Sequence, residues 1–284
     1  MSPQRPAKKP RVMRTVAVTA TERLSRDMVR VHLAGPAVAE IAPLQHTDAY
    51  VKLLFAPAGA DYAWPFDPQQ VQQQHPREQW PVTRTYTIRS LDAERGEMAV
   101  DFVVHGDTGL AGPWARGAQP GDTLGFYGPG GAWSPDADAD QHLFVGDEAA
   151  APAIAAALDA LPDAARAQVL LEVADENAHL PLREAPGIET TWVHRDAAGA
   201  AHGVALAEAA RALPLPEGRL SAFVHGNADM IKDLRRYLFV EQGVPRDQVS
   251  ISGYWRTGLD EDGWQSSKRE FVAQMEAEQD GSPA

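Results

Sequence analysis

The sequence predicts two domains in series: an N-terminal six-stranded antiparallel β-barrel with a Greek-key connection, then an α/β domain built on a parallel sheet. Three observations carry this. Six short strand-like runs fall between Val12 and Phe126, separated by polar or Gly/Pro segments, which suits a small closed barrel. From Gln141 onward, buried-strand signals alternate with helical ones, the pattern of a parallel sheet covered by helices. Between the two lies Pro135 to Asp140, whose three aspartates mark a linker, and 284 residues suffice for two cores.

In the first domain Val12 to Ala20, Met28 to Leu33, Tyr50 to Phe55, Thr85 to Arg89, Met98 to Val104 and Thr123 to Phe126 read as strands, because they alternate or cluster residues that fit a pleated surface. Residues 56–81 form a long loop, Gln-rich from Gln69 to Gln74 and carrying Tyr62, Trp64, Phe66 and Trp80. A loop of that length reads as a functional cover or a disordered segment. In the second domain the strands are Leu143 to Gly146, Val169 to Val173, Thr190 to Val193, Leu220 to Val224 and Val249 to Ile251. Helices fall at Ala149 to Leu161, Gly203 to Leu213 and Ala228 to Gln242. Pro152 sits in the first turn of the first of these, where a missing N–H costs nothing. Trp264 to Gln279 is charged and helical in pattern. The domain limits that follow are a disordered basic lead-in at 1–11, the barrel at 12–135, the α/β domain at 141–256 and a tail at 257–284.

Four stretches carry chemistry. In Arg84-Thr85-Tyr86-Thr87, Tyr86 and Ile88 face one side of a strand and Thr85, Thr87 and Arg89 the other, so an arginine, a tyrosine and a threonine hydroxyl sit close together. His105-Gly106-Asp107-Thr108-Gly109-Leu110-Ala111-Gly112-Pro113-Trp114 is a Gly-rich turn entering a short helix, whose free N–H groups can hold an anion such as a pyrophosphate. Gly146-Asp147-Glu148 and His225-Gly226-Asn227 fall at the carboxyl ends of strands, where open α/β sheets bind ligands. Each has a purely structural alternative: an exposed polar strand face, an ordinary turn, a helix start. Lys52 lies on the opposite face of its strand from Val51, Leu53 and Phe55, and reads either as a solvent-facing lysine or as a ligand contact.

Together with Gly253-Tyr254-Trp255-Arg256-Thr257-Gly258, these stretches resemble the siderophore-interacting protein family, flavin-dependent ferric-siderophore reductases of the ferredoxin-reductase-like superfamily. The resemblance covers Val12 to Ser267. It implies FAD held by Arg84, Tyr86 and Thr87 and by His105, Gly106, Thr108, Gly109, Ala111, Gly112 and Trp114. It implies NADPH or NADH, with NADPH favoured, at Gly146, Asp147, Glu148, Gly226 and Asn227. Arg195 is the candidate reader of the 2′-phosphate, with Arg235 and Arg236 behind it. The ferric siderophore is expected at Lys52, Trp255 and Arg256, with Lys268 or Arg269 as helpers from a tail that returns toward the flavin domain. The chain departs from the family pattern at Leu110, Gly112, Ala149 and Asn227, and at Gly130, where a basic residue is common. No side chain need act as acid or base, so no catalytic residue is assigned. Two further functions remain open: a flavin-bearing siderophore carrier without turnover, and a general flavin or quinone reductase.

Composition excludes much else. With no cysteine the chain holds neither a Cys-ligated zinc nor a Cys-held iron–sulfur cluster. A net charge of −13 argues against nucleic acid as partner and demands a local basic pocket for any anionic substrate. The stretch from Met1 to Arg14 lacks the apolar core of a signal peptide, and no apolar run is long enough to span a membrane. A cytoplasmic monomer with no resident metal is expected.

Overall fold

The computed structural model describes residues 12–104, 106 and 109–280; the expected lead-in at 1–11 lies outside them, as do His105, Asp107 and Thr108 of the Gly-rich turn. Six strands, β1 (Arg14–Ser25), β2 (Met28–Ala34), β3 (Tyr50–Phe55), β4 (Val82–Asp92), β5 (Glu97–Val103) and β6 (Thr123–Gly130), close into an antiparallel barrel in the order β1-β2-β5-β4-β3-β6. The β2–β5 and β3–β6 neighbours are the Greek-key crossings, and closure removes the free edges. Side chains two residues apart point inward: Val29, Val31 and Leu33 on β2, Val51, Leu53 and Phe55 on β3, and Met98, Val100 and Phe102 on β5 all lie in one core.

Three short helices decorate the barrel: α1 (Pro36–Ala39), α2 (Pro68–Gln74) and α3 (Ala111–Gly117). The second of these corrects the reading of residues 56–81 as a disordered segment, since they carry a helix of their own. The Asp67 carboxylate accepts from Gln69 N at 2.8 Å and caps α2. Trp64 donates from Nε1 to Thr123 Oγ1 at 2.9 Å, and its ring lies over Gly125, where a Cβ would come within 2.5 Å. Tyr62 and Trp64 both pack edge-on against Phe66.

The second domain is a five-stranded parallel sheet in the order β11-β10-β7-β8-β9. Its strands are β7 (Gln141–Gly146), β8 (Ala167–Val173), β9 (Ile188–His194), β10 (Leu220–Asn227) and β11 (Val249–Trp255). The helices are α4 (Ala151–Ala160), α5 (Arg195–Ala198), α6 (Val204–Ala212), α7 (Ala228–Arg236) and α8 (Glu261–Asp280). Both faces are buried, so the strands read as apolar runs. Leu143, Val145, Leu170 and Val224 pack on Leu206 of α6 and on Ile231 and Leu234 of α7. Phe144, Val169, Leu171 and Phe223 pack instead on Ile154 and Leu158 of α4, and this layer continues into the barrel through Met28. Arg89 of β4 is tied to Asp159 of α4 at 2.7 Å. The α7 helix stops at Arg236 and widens into a π turn at Tyr237–Glu241, short of the expected Gln242.

Phe102 touches the rings of both Tyr86 (centroids 4.4 Å apart) and Trp114 (5.7 Å), so it supports two of the motif side chains from beneath. Phe102→Ala should lower unfolding free energy by about 3–5 kcal/mol, read as a lower urea midpoint with an unchanged slope.

Candidate functional site

The strand order reverses between β7 and β10, so the carboxyl ends of these two strands open a crevice at a switch point of the sheet. Gly146, Asp147, Glu148, Gly226 and Asn227 all stand there. The Asp147 carboxylate, 1% exposed, accepts from Ala149 N at 3.0 Å, from Asn227 N at 2.8 Å and from Trp255 Nε1 at 2.8 Å. Gly226 has φ +144°, and a Cβ on it would come within 2.6 Å of Asp147 Oδ2. Gly146 is equally constrained, since its Cβ would meet that of Ala150 at 2.7 Å. Burial, then the neighbouring Glu148, pushes the Asp147 carboxyl up to about 7, against the pull of its three donors. Asn227 caps α7 through Asp229 N and donates from Nδ2 to Thr257 Oγ1.

Beside this cluster, β10 and β11 present two rings that the sequence reading left unassigned. His225 lies flat on Phe223, with centroids 3.8 Å apart, and its Nε2 meets Ser250 Oγ at 2.9 Å. Burial, then the Lys268 charge, drives its pKa down to about 3, so the ring is neutral. Tyr254 packs on His225, and the charges of Asp48 and Asp147 reinforce the burial that raises its hydroxyl pKa. Asp48 belongs to the barrel, so Tyr254 stands where the two domains meet.

The facing wall is the outer side of β3 and β4 with the first turn of α8. Lys52 Nζ donates to Thr85 Oγ1 at 3.0 Å, and that hydroxyl donates to Glu261 Oε1 at 2.7 Å. Thr85 N also donates to Glu261, at 3.0 Å, and Arg84 Nη1 reaches Asp262 Oδ2 at 2.9 Å. A guanidinium, an amide N–H and a hydroxyl thus form one anion-accepting set, satisfied here by the chain's own carboxylates. Tyr86 stacks toward Phe102, and burial raises its hydroxyl pKa. Thr87 is buried. From α8, Lys268 Nζ donates to Ser252 Oγ at 2.9 Å and Gly253 O at 2.8 Å, and burial followed by the Lys52 charge lowers its pKa. Lys52 and Lys268 therefore feel each other across the domain boundary.

Around the Gly-rich turn, Gly106 and Gly109 adopt φ +59° and +87°, and Gly112 lies against Val103 O, where a Cβ would come within 3.1 Å. Ala111 is buried, while Trp114 turns its ring inward onto Phe55 and Phe102. His105 and Thr108 lie outside the described residues.

The three arginines expected around the 2′-phosphate are all engaged by groups of the chain itself. Arg195 is not a free cation awaiting a 2′-phosphate: its guanidinium binds Glu148 at 3.0 Å and the fully buried Glu172 at 3.1 Å, and Glu172 also accepts from Gly203 N. Arg235 is buried against Gln279 and Phe239, and Arg236 faces Glu241, so neither backs Arg195. Arg256 pairs with Asp229 at 3.2 Å and lies over the Phe271 ring of α8. Glu261 and Asp262 escaped the sequence reading; their signal was the acidic first turn of a helix, which ordinarily only complements the dipole.

Asp147 and His225 act on stability in opposite senses. The Asp147 pKa is raised above its ordinary 3.8, so its contribution is complete below that pH and is lost as pH rises through about 7. The His225 pKa is depressed from 6.5, so its contribution is present above 6.5 and is lost as pH falls toward about 3. His225→Gln should therefore flatten the fall of Tm between pH 6.5 and 4, by calorimetry, while an unchanged slope would show that the ring is not buried as the neutral form.

Two family models match the chain: a siderophore-interacting FAD-binding domain over residues 17–133 and a siderophore-interacting protein model over residues 139–258. The ferric vibriobactin reductase ViuB of Vibrio cholerae is 37% identical over 66% of this chain and 69% of its own. The NADPH-dependent ferric-chelate reductase of Escherichia coli is 30% identical over 85% and 92%. The crystal structure of a siderophore utilization protein from T. fusca superposes with TM-score 0.75 at 34% identity, covering 89% of this chain and 96% of that one. The ferredoxin-NADP+ reductase of Plasmodium falciparum, at 12% identity and TM-score 0.63, shares the fold, which is thus ferredoxin-reductase-like. With both domains matched and relatives of this similarity covered over most of their length, the chain belongs to the siderophore-interacting protein family.

Proposed function

We propose that the protein is a FAD-dependent reductase that takes electrons from NADPH and reduces Fe(III) in an anionic ferric siderophore to Fe(II), releasing the iron in the cytoplasm. One observation supports this reading above the others. The anion-accepting set of Arg84 and Thr85 adjoins two lysines, one from each domain, at the mouth of the strand-end crevice. The relatives named ferric reductases agree with it.

The donor set fits a FAD pyrophosphate. Arg84 would hold it through the planar fork that lysine lacks, and Thr85 N and Oγ1 would turn from Glu261 toward it. Tyr86 and Thr87, on the same strand, would carry the ring end, and the turn from Gly106 to Gly112 would offer backbone N–H groups. Bound FAD supplies the conversion of a two-electron hydride donor into the single electrons that Fe(III) accepts. The chain's own residues hold and orient. Gly146, Asp147, Glu148, Gly226 and Asn227 shape the crevice for the nicotinamide nucleotide; choice of NADPH over NADH follows the named relative, since Arg195 is already neutralised by carboxylates. Lys52 and Lys268 attract the substrate locally within a Debye length of about 8 Å, against a net charge of −13. Trp255, whose Nε1 donates to Asp147, and Arg256, whose charge is shared by Asp229, would extend the same mouth. Fe(II) is held less tightly by hard oxygen ligands than Fe(III), so reduction frees the metal.

The decisive experiment is anaerobic. The purified yellow protein should bleach on addition of NADPH and regain its visible spectrum on addition of a ferric siderophore; bleaching without recovery would identify a carrier, and kcat/KM for NADH equal to that for NADPH would defeat the donor assignment. Arg84→Ala should purify with less FAD, whereas Asp262→Ala, which frees Arg84 from its carboxylate, should retain it at least as well. With a catecholate complex KM should rise with salt, and Lys52→Ala should raise it about tenfold while leaving hydride transfer to FAD unchanged. Insensitivity to both salt and Lys52→Ala would place the substrate elsewhere.

A further inference from the structure

A cavity of about 330 Å³, within the range of small-molecule sites, lies between the outer face of the barrel and the C-terminal half of α4. Its walls are mostly apolar, with Leu44, Ile88, Ala156, Ala160 and Leu161 among them. The rim is latched by the protein's own hydroxyls: Ser134 Oγ donates to Gln45 O, and Thr47 Oγ1 to Trp133 O. Two buried polar atoms of cavity-lining residues have no hydrogen-bond partner in the protein, Arg89 Nε and His142 Nδ1. The far end of Arg89 is fixed by Asp159, and the His142 side chain, 4% exposed, lies parallel to Phe144. Unmet buried polar atoms of this kind are expensive, and two of them on residues that line one cavity point to a missing partner.

The cavity is not part of the strand-end crevice. His142 is the second residue of β7 and Asp147 follows its end, so the two are roughly 16 Å apart along an extended strand. Arg89 likewise lies four residues beyond Thr85 on β4, roughly 13 Å away.

We propose that this cavity is a second binding site, for a small monocarboxylate with an apolar body, such as an aromatic acid. One carboxylate oxygen accepts from Arg89 Nε–H and the other from His142 as its Nδ1–H tautomer, while the hydrocarbon lies on Leu44 and the alanines of α4. The Asp136 carboxylate, which also lines the cavity, is held by Arg219, and a hydrocarbon alone leaves both polar atoms unmet. The occupant touches both β4 and α4, so it clamps the barrel to the second domain.

The test uses the FAD-loaded protein and titrates benzoate by calorimetry, with benzylamine as the charge-reversed control. Benzoate should bind saturably and benzylamine should not. Arg89→Met and His142→Phe should each weaken benzoate about tenfold, and Lys52→Ala should leave it unchanged. Ala160→Trp, at an exposed position on the rim, fills the cavity with both polar groups retained; it should abolish binding without altering the flavin spectrum. No saturable binding up to about 10 mM benzoate would overturn the proposal. So would binding that persists in Ala160→Trp, or that disappears in Lys52→Ala. None of these readouts depends on turnover, so the site stands or falls separately from the proposed reductase activity.

Discussion

The Asp147 carboxylate is the contact on which the crevice depends. A carboxylate withdrawn from water is costly unless its oxygens are met, and here the three N–H donors come from three places: the turn into α4, the end of β10 and the end of β11. One side chain thereby gathers the ends of β7, β10 and β11 into a single arrangement. The glycine at 226 is required for the same reason, since any side chain there would collide with the carboxylate. With its pKa near 7, the group exchanges a proton close to neutrality, and Trp255, which the family signature places next to Arg256, is its reporter.

Charge is distributed by the same logic of local satisfaction. In a chain of net charge −13, Arg84, Arg89, Arg195 and Arg256 are all drawn to carboxylates. Lys52 and Lys268 instead donate to hydroxyl and carbonyl oxygens, which do not cancel their charge. A compact ammonium on a flexible stem can swing from such a partner to an incoming anion, whereas a guanidinium gripped by two carboxylates cannot without exposing them. Burial of Lys268 beside Lys52 lowers its hold on its proton, a tension that an anionic ligand relieves.

The two domains are coupled mechanically as well as electrostatically. The apolar layer under α4 continues through Met28 into the barrel, and α8 returns from the end of the sheet to place Glu261 and Asp262 against β4. The Arg84 guanidinium and the Thr85 N–H and hydroxyl are therefore already engaged by the chain's own carboxylates. A ligand that took up these groups would be linked to the position of α8, because both would draw on the same N–H and O–H groups.

The sequence by itself determined the two-domain architecture, the six barrel strands, the parallel sheet and the placing of Gly146-Asp147 and Gly226-Asn227 at strand ends. These rest on local periodicity and on glycines at tight approaches, which neighbouring residues decide between themselves. It also carried the capping signal of Asp67-Pro68, which the length and glutamines of the 56–81 loop obscured. The tertiary structure alone decided the partners of charged groups. Arg84 meets Asp262 and Thr85 meets Glu261 across more than half the chain, while Arg195 is claimed by Glu148 and Glu172 from two different strand ends. Such pairings follow from where strand order and helix return bring residues in space, and no spacing in the sequence encodes them. The cavity beside Arg89 and His142 is of the same kind: an empty space exists only between surfaces, and both surfaces must be folded before it has walls.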